Sequence, residues 1–235
     1  MNFMVGQSGG PTAVINASLA GVFETARNSG AVRVLGMQHG IEGLLKEEML
    51  ELNVLLDDRM SIELLKRTPS SYLGSCRYKL PAPVAGDEVY ETLFELFARY
   101  QVDAVLYIGG NDSMDTIAKL GDYGQAIGSK IRFIGIPKTI DNDLVGTDHT
   151  PGFGSAARLV ATSTAELALD ADVYDLKSVT FVEIMGRDAG WLAAASALAN
   201  PDIVLLPEAP LDEAELLARI SELLAQKNTV MVGVS

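Results

Sequence analysis

Short apolar runs of β type recur along this chain, each followed by a polar loop and then by a stretch of helical period. That order constrains the fold more than any other feature. Repeated βα units build a largely parallel sheet with helices on both faces. The runs predict strands at residues 3–5, 32–36, 104–108, 133–136, 179–184, 203–206 and 230–234. Helices are expected at 13–29, 61–67, 87–100, 115–120, 154–172, 191–199 and 212–226. The 104–108 run is apolar without interruption, as befits a strand covered on both faces. Pro and Gly punctuate Thr150-Pro151-Gly152, the candidate break between an α/β domain at 1–150 and a second at 151–235. Ser235 closes a strand, which is the expected mark of a fragment or of an incompletely covered protein.

Composition permits such a fold. At 48% hydrophobic and 21% charged residues, the chain can bury a sizeable core and is not a disordered segment. No apolar run approaches the length that crosses a bilayer. The opening Met1-Asn2-Phe3-Met4-Val5 has neither the basic nor the long apolar region of a signal peptide. The single cysteine, Cys76, excludes an internal disulfide and a Cys-rich metal site, so a cytoplasmic protein is expected. Eighteen Lys and Arg against 31 Asp and Glu leave a net charge of -13, which argues against a nucleic-acid or membrane-binding surface. An anionic substrate would need local help from backbone amides, placed cations or a metal ion.

In a doubly wound sheet, ligands gather at the carboxyl ends of the strands, and four polar loops fall there. Gly6-Gln7-Ser8-Gly9-Gly10-Pro11-Thr12 lies between a strand and a helix, where glycine amides and a helix N-terminus suit a phosphate. An ordinary tight turn fits it about as well. Gly109-Gly110-Asn111-Asp112-Ser113 suits phosphate or metal-phosphate binding, and also a helix start capped by Asn111, Asp112 or Ser113. Pro137-Lys138-Thr139-Ile140-Asp141-Asn142-Asp143 packs a cation, a hydroxyl and two carboxylates into seven residues. Phosphoryl transfer to an alcohol needs these types, although an isolated Asp-Asn-Asp is more often a solvated turn. Met185-Gly186-Arg187-Asp188-Ala189-Gly190 offers an Arg to clamp a phosphate or sugar hydroxyls, or merely a surface Arg. Four such loops together point to a phosphate-handling α/β enzyme, a phosphotransferase. His39 and His149 read as loop or core histidines, Cys76 as a packed small residue and Trp191 as core, while Asp212 is placed to cap a helix.

These loops resemble the phosphofructokinase family. The carrying stretches are 6–16 (GQSGGPTAVIN), 74–77 (GSCR), 109–116 (GGNDSMDT), 137–143 (PKTIDND), 185–190 (MGRDAG) and Pro207-Glu208. The resemblance implies a phosphofructokinase-like fold of two doubly wound domains with mainly parallel sheets, the first binding the donor and the second, incomplete here, the sugar phosphate. It implies conversion of fructose 6-phosphate to fructose 1,6-bisphosphate. Asp141 matches the base for the sugar 1-hydroxyl, with Thr139, Ile140 and Asp143 around the sugar and the transferred group. Met185, Gly186 and Arg187 match sugar-phosphate contacts, and Glu208 a sugar-hydroxyl contact. Gly9 and Gly10 match the donor loop, and Arg77 an arginine near the transferred group.

Two positions select the donor. ATP-using members carry Gly where this chain has Asp112 and Lys138. A carboxylate at 112 would repel a nucleotide α-phosphate, and Lys138 would stabilise pyrophosphate and its transition state. Pyrophosphate is therefore the expected donor and Mg²⁺ the cofactor. Asn111 stands where most members place a Mg²⁺-holding aspartate, and its amide oxygen is a weaker ligand. That leaves the metal to pyrophosphate oxygens and water, or to Asp112 or Asp141. An intersubunit arginine of the family is replaced by Ser178, with Lys177 beside it. Family members continue past Ser235, adding Arg and His contacts to the 6-phosphate and returning to the first domain. They form symmetric oligomers, so a homodimer or homotetramer is expected. The alternatives are an ATP-dependent sugar kinase of the same fold and an inert binding or regulatory module.

Overall fold

The computed structural model describes residues 1–84 and 86–235. It forms two compact units, Met1–Lys138 and Thr139–Ser235. The first is built on β1 (Asn2–Gln7), β2 (Arg33–Met37), β3 (Met49–Glu51), β4 (Ala104–Gly109) and β5 (Arg132–Pro137). Its helices are α1 (Ile15–Asn28), α2 (Gly40–Leu44), α3 (Leu52–Leu55), α4 (Arg59–Arg67), α5 (Glu88–Arg99) and α6 (Asn111–Ala126). The sheet order is β3-β2-β1-β4-β5, parallel except where β3 runs against β2.

Alternate residues of the central strands feed two cores. Met4, Leu35, Val105 and Tyr107 pack with Tyr90, Leu93 and Phe97 of α5 and with Ile117 and Leu120 of α6. Val5, Val34 and Ile108 face the other way, toward Ile15, Leu19 and Phe23 of α1 and Ile62 and Leu65 of α4. Because both faces are covered, every position of such a strand favours an apolar side chain. The chain leaves β1 toward β2 on one side and returns to β4 on the other. The crevice at the carboxyl ends of β1 and β4 is thus the switch point where this architecture collects ligands.

The second unit carries β6 (Ser178–Glu183), β7 (Ile203–Leu205) and β8 (Thr229–Val234), parallel in the order β6-β8-β7. Its helices are α7 (Phe153–Ala171), α8 (Trp191–Ala195) and α9 (Glu213–Gln226). Phe153 of α7 and Leu192 and Ala193 of α8 pack on Val182 and Ile184, while Ile220 and Leu223 of α9 pack on Val230 and Val232. Asp212 caps α9 as expected, accepting from the amides of Ala214 (2.9 Å) and Glu215 (3.1 Å). Among the described residues no helix is long and apolar enough to cross a membrane.

Several expectations need correction. Trp191 is not core: it is 55% exposed, because the short α8 turns Leu192 and Ala193 inward and leaves its first residue outside. A 3-10 turn, Ser196–Ala199, continues the chain where one helix was expected. α6 runs well beyond 115–120 on both sides, and neither Asn111, Asp112 nor Ser113 is its N-cap; Gly110 holds that position without a side-chain bond. The units divide between Lys138 and Thr139, upstream of Thr150-Pro151-Gly152. Here Thr139 bridges to Gly152, its amide donates to Pro151 O (3.1 Å) and its carbonyl accepts from Thr150 Oγ1 (2.8 Å). The 139–152 segment closes on itself within the second unit.

Candidate active site

The first unit brings three chain segments to one sheet edge. Gln7 pairs with Ile108, and Gly109 with Pro137, so β1, β4 and β5 end nearly level. The ladder continues one step past them: Ser8 N donates to Ile108 O and Lys138 N to Gly109 O, both at 2.9 Å. The Ser8 and Ser113 hydroxyls share a 2.5 Å hydrogen bond between the two glycine loops. A third segment, 74–77, lies against the first loop. Ser75 Oγ donates to Gly9 O (2.5 Å), and Gly9 N donates to Cys76 O (3.3 Å).

Glycine is required where these pieces meet. A Cβ on Gly109 would lie 2.5 Å from Ser113 Cβ, closer still to its hydroxyl, and 2.9 Å from Ser8 O. Gly109→Ala should therefore cost about 1–3 kcal/mol, as overpacking does. Adding Ser113→Gly should restore only part of that, because the Ser8 backbone remains in the way; urea unfolding of the single and double variants checks both. Beneath the loop, a Cβ on Gly6 would meet the Tyr107 ring at 2.5 Å. Burial pushes the Tyr107 phenol far above its ordinary range, and its oxygen accepts from Ile41 N at 3.2 Å.

The expected donor residues gather here. Lys138 is 4% exposed and donates from Nζ to Gly10 O at 2.5 Å. The buried ammonium thus sits on the carbonyl of an exposed glycine in the first loop. Asn111 and Asp112 open α6, and the Asp112 carboxylate pairs with Lys79 Nζ at 3.2 Å. Both partners are exposed, so the pair orients the carboxylate more than it stabilises the fold. No periodicity or glycine pattern in the sequence marks Lys79. Arg77 is exposed beside Cys76, which is buried with its Sγ 3.7 Å from the Tyr107 oxygen. One expectation shifts: α1 begins only at Ile15, with Val14 as an uncapped N-cap.

The second unit holds the remaining candidates on two loops. In the first, Ile140 packs on the cluster containing Ile184 and Leu192, Asp141 is half-buried and Asp143 exposed. Asp141 N donates to Thr139 Oγ1 at 3.1 Å. In the second, Ala189 N donates to Gly186 O (3.0 Å), and Glu208 Oε1 accepts from Gly190 N (2.7 Å). Glu208 is thereby tied to the loop whose Met185 and Arg187 are exposed. Ile184 and Leu192 flank that loop, so contact with Ile140 sets both loops at one end of the unit. His39 and His149 are exposed loop residues, the latter stacked on Phe153 at 5.9 Å. Among the described residues no group of three or more His, Cys, Asp and Glu side chains is placed to hold a metal ion. An oxygen-preferring ion that takes most ligands from a bound phosphate would still fit the Asn111 amide oxygen and the Asp112 carboxylate.

A family profile described as phosphofructokinase matches residues 2–235. The pyrophosphate–fructose 6-phosphate 1-phosphotransferase of Xanthomonas campestris pv. campestris is 43% identical over 242 aligned positions, covering 100% of this chain and 57% of that protein. The enzyme of the same name from Halomonas elongata is 42% identical over 231, covering 94% of this chain and 55% of its own length. The crystal structure of a pyrophosphate-dependent phosphofructokinase from Marinobacter aquaeolei superposes with a TM-score of 0.90 at 40% identity, covering 100% of this chain and 60% of that one. The chain thus spans somewhat over half the length of these relatives.

Proposed function

The chain belongs to the phosphofructokinase family, and from that premise we propose that the full-length protein transfers a phosphoryl group from pyrophosphate to fructose 6-phosphate. The products are fructose 1,6-bisphosphate and orthophosphate. The observation that carries the donor assignment is Lys138, whose buried ammonium sits on the first glycine loop. Asp112 stands at the start of α6, where a carboxylate disfavours the extra phosphate of a nucleotide.

In this mechanism Asp141 accepts the proton of the sugar 1-hydroxyl as its oxygen bonds to phosphorus. The bridging P–O bond of pyrophosphate breaks, and orthophosphate leaves with the bond's electrons. Lys138 and Arg77 stabilise the charge that gathers on the phosphate oxygens, while the Gly9-Gly10 loop seats the donor. Thr139, Ile140 and Asp143 border the sugar, Met185, Gly186 and Arg187 hold the sugar phosphate, and Glu208 accepts from a sugar hydroxyl. Asn111 and Asp112 would hold Mg²⁺ from the protein side, and the ion would supply neutralisation of phosphate charge. The protein is proposed to act in the cytoplasm, in glycolysis and its reversal, as a homodimer or homotetramer.

The test is a steady-state assay of the full-length protein with fructose 6-phosphate and Mg²⁺, offering pyrophosphate or ATP. The expected result is a kcat/KM for pyrophosphate on the order of 100-fold above that for ATP, a factor worth about 2.7 kcal/mol of transition-state stabilisation. A preference for ATP sinks the donor assignment, and no turnover with either donor sinks the reaction.

A further inference from the structure

We propose that Asn142 is the positioning residue for the Asp141 carboxylate, holding the loop that carries it through a buried side-chain latch. The inference rests on the reading of Asp141 as the general base. Asn142 adopts a left-handed backbone (φ 58°) and is 7% exposed, while Asp141 and Asp143 on either side are half-buried and exposed. Both ends of its amide are engaged. Oδ1 accepts from Thr150 N at 2.8 Å, and Nδ2 donates to Asp148 O at 3.0 Å. These bonds join position 142 to the far side of a loop whose tip, Val145, is fully exposed.

Thr139 closes the same loop from its base. Its amide and carbonyl bond to Pro151 and Thr150, and its hydroxyl accepts from Asp141 N at 3.1 Å. Asp141 therefore lies between two fixed points, Thr139 and Asn142. Among the described residues, none from 140 to 151 belongs to a helix or strand, so ladder hydrogen bonds do not order this segment. A side chain that satisfies two backbone groups supplies that order instead. Asparagine suits the position on both counts, since it tolerates the left-handed region and presents an acceptor and a donor together. Aspartate would keep the acceptor for Thr150 N, lose the donor to Asp148 O, and add a third carboxylate beside Asp141 and Asp143.

A base displaced by about 1 Å loses on the order of 100-fold in rate, and that loss falls on kcat. The test measures pyrophosphate-dependent turnover of the full-length protein with Asn142→Gly, which keeps the backbone conformation and removes both hydrogen bonds. The expected result is a kcat lowered by roughly 30- to 100-fold, with KM for both substrates within about threefold and unchanged far-UV circular dichroism. Asn142→Asp, which retains one bond, is expected between the two and carries the test if Asn142→Gly does not fold. A folded variant whose kcat equals wild type, whether or not KM for fructose 6-phosphate rises, overturns the proposal. Asp141→Asn is measured in parallel. If it retains turnover, the reading of Asp141 falls and the latch with it; if it loses turnover while the Asn142 variants keep theirs, only the latch falls.

Discussion

Asp141→Asn is expected to lower kcat for transfer from pyrophosphate to fructose 6-phosphate by about 10²- to 10⁴-fold, the usual contribution of a placed general base. That corresponds to about 3–5 kcal/mol of barrier. An amide of the same shape cannot accept the hydroxyl proton, so the attacking oxygen must shed it to water. The fold should survive, because the loop keeps several contacts that do not involve the carboxylate. The Asp141 amide keeps its bond to Thr139 Oγ1, Asn142 keeps its two bonds across the loop, and Ile140 keeps its apolar contacts. KM for fructose 6-phosphate should therefore change by less than about threefold, since truncating a base removes an interaction realised in the transition state. Steady-state kinetics and thermal unfolding of the same preparation check the two halves. A kcat within threefold of wild type removes Asp141 from the reaction.

The loops and their strands are legible from residues alone for a physical reason. β4 is buried along nearly its whole length, so its apolar run stands out, while β5, at the sheet edge, is partly exposed and is marked instead by the polar loop that follows its carboxyl end. The apolar run gives way to small and polar residues within one position, at Gly109 after Ile108 and at Lys138 after Pro137, although Gly109 and Lys138 are themselves buried. Residues 38–60 are different. Their elements, α2, β3 and α3, are five, three and four residues long, too short for a period to register, and α2 is entered through a left-handed His39. The underestimate of α6 has another cause. Gly121 and Gly124 lower its helical signal, yet at Gly124 a Cβ would stand 3.0 Å from Phe133 and 3.2 Å from Phe94, a tight fit that favours the glycine.

Among the candidate residues, those whose chemistry is written in a motif are readable, and those that act through a partner are not. Lys138, Asp141 and Glu208 fall in recognisable loops. Lys79 matters only because the fold brings its ammonium to Asp112 from 33 positions away, counted from the two residue numbers. Asn142 is visible in its motif, but its burial and its two bonds to residues 148 and 150 are not. The domain break is a related case. Thr150-Pro151-Gly152 carries the punctuation of a boundary, yet its hydrogen bonds to Thr139 fasten it inside the second unit.

Lys138→Met is expected to lower kcat with pyrophosphate by about 10²- to 10³-fold, the cost of removing one placed donor from a developing anion. The thermal midpoint should change by only a few degrees. The asymmetry follows from where the ammonium lies. The side chain is buried, and methionine fills similar space with apolar atoms. One carbonyl it leaves is that of Gly10, which is exposed and can bond to water. The charge has no such substitute, because a chain of net charge -13 repels an anionic donor everywhere except where cations are placed. Lys138→Arg should recover little of the rate, since the planar guanidinium needs more room than a position that is 4% exposed allows. Adding Asp112→Gly to Lys138→Gly should raise the ratio of ATP to pyrophosphate turnover, since it removes the repelling carboxylate and the stabilising cation together. Assays of each variant with both donors at fixed Mg²⁺ separate these effects. Wild-type pyrophosphate turnover in Lys138→Met would leave the ammonium with a role in loop structure alone, and the donor assignment would lose the residue on which it chiefly rests.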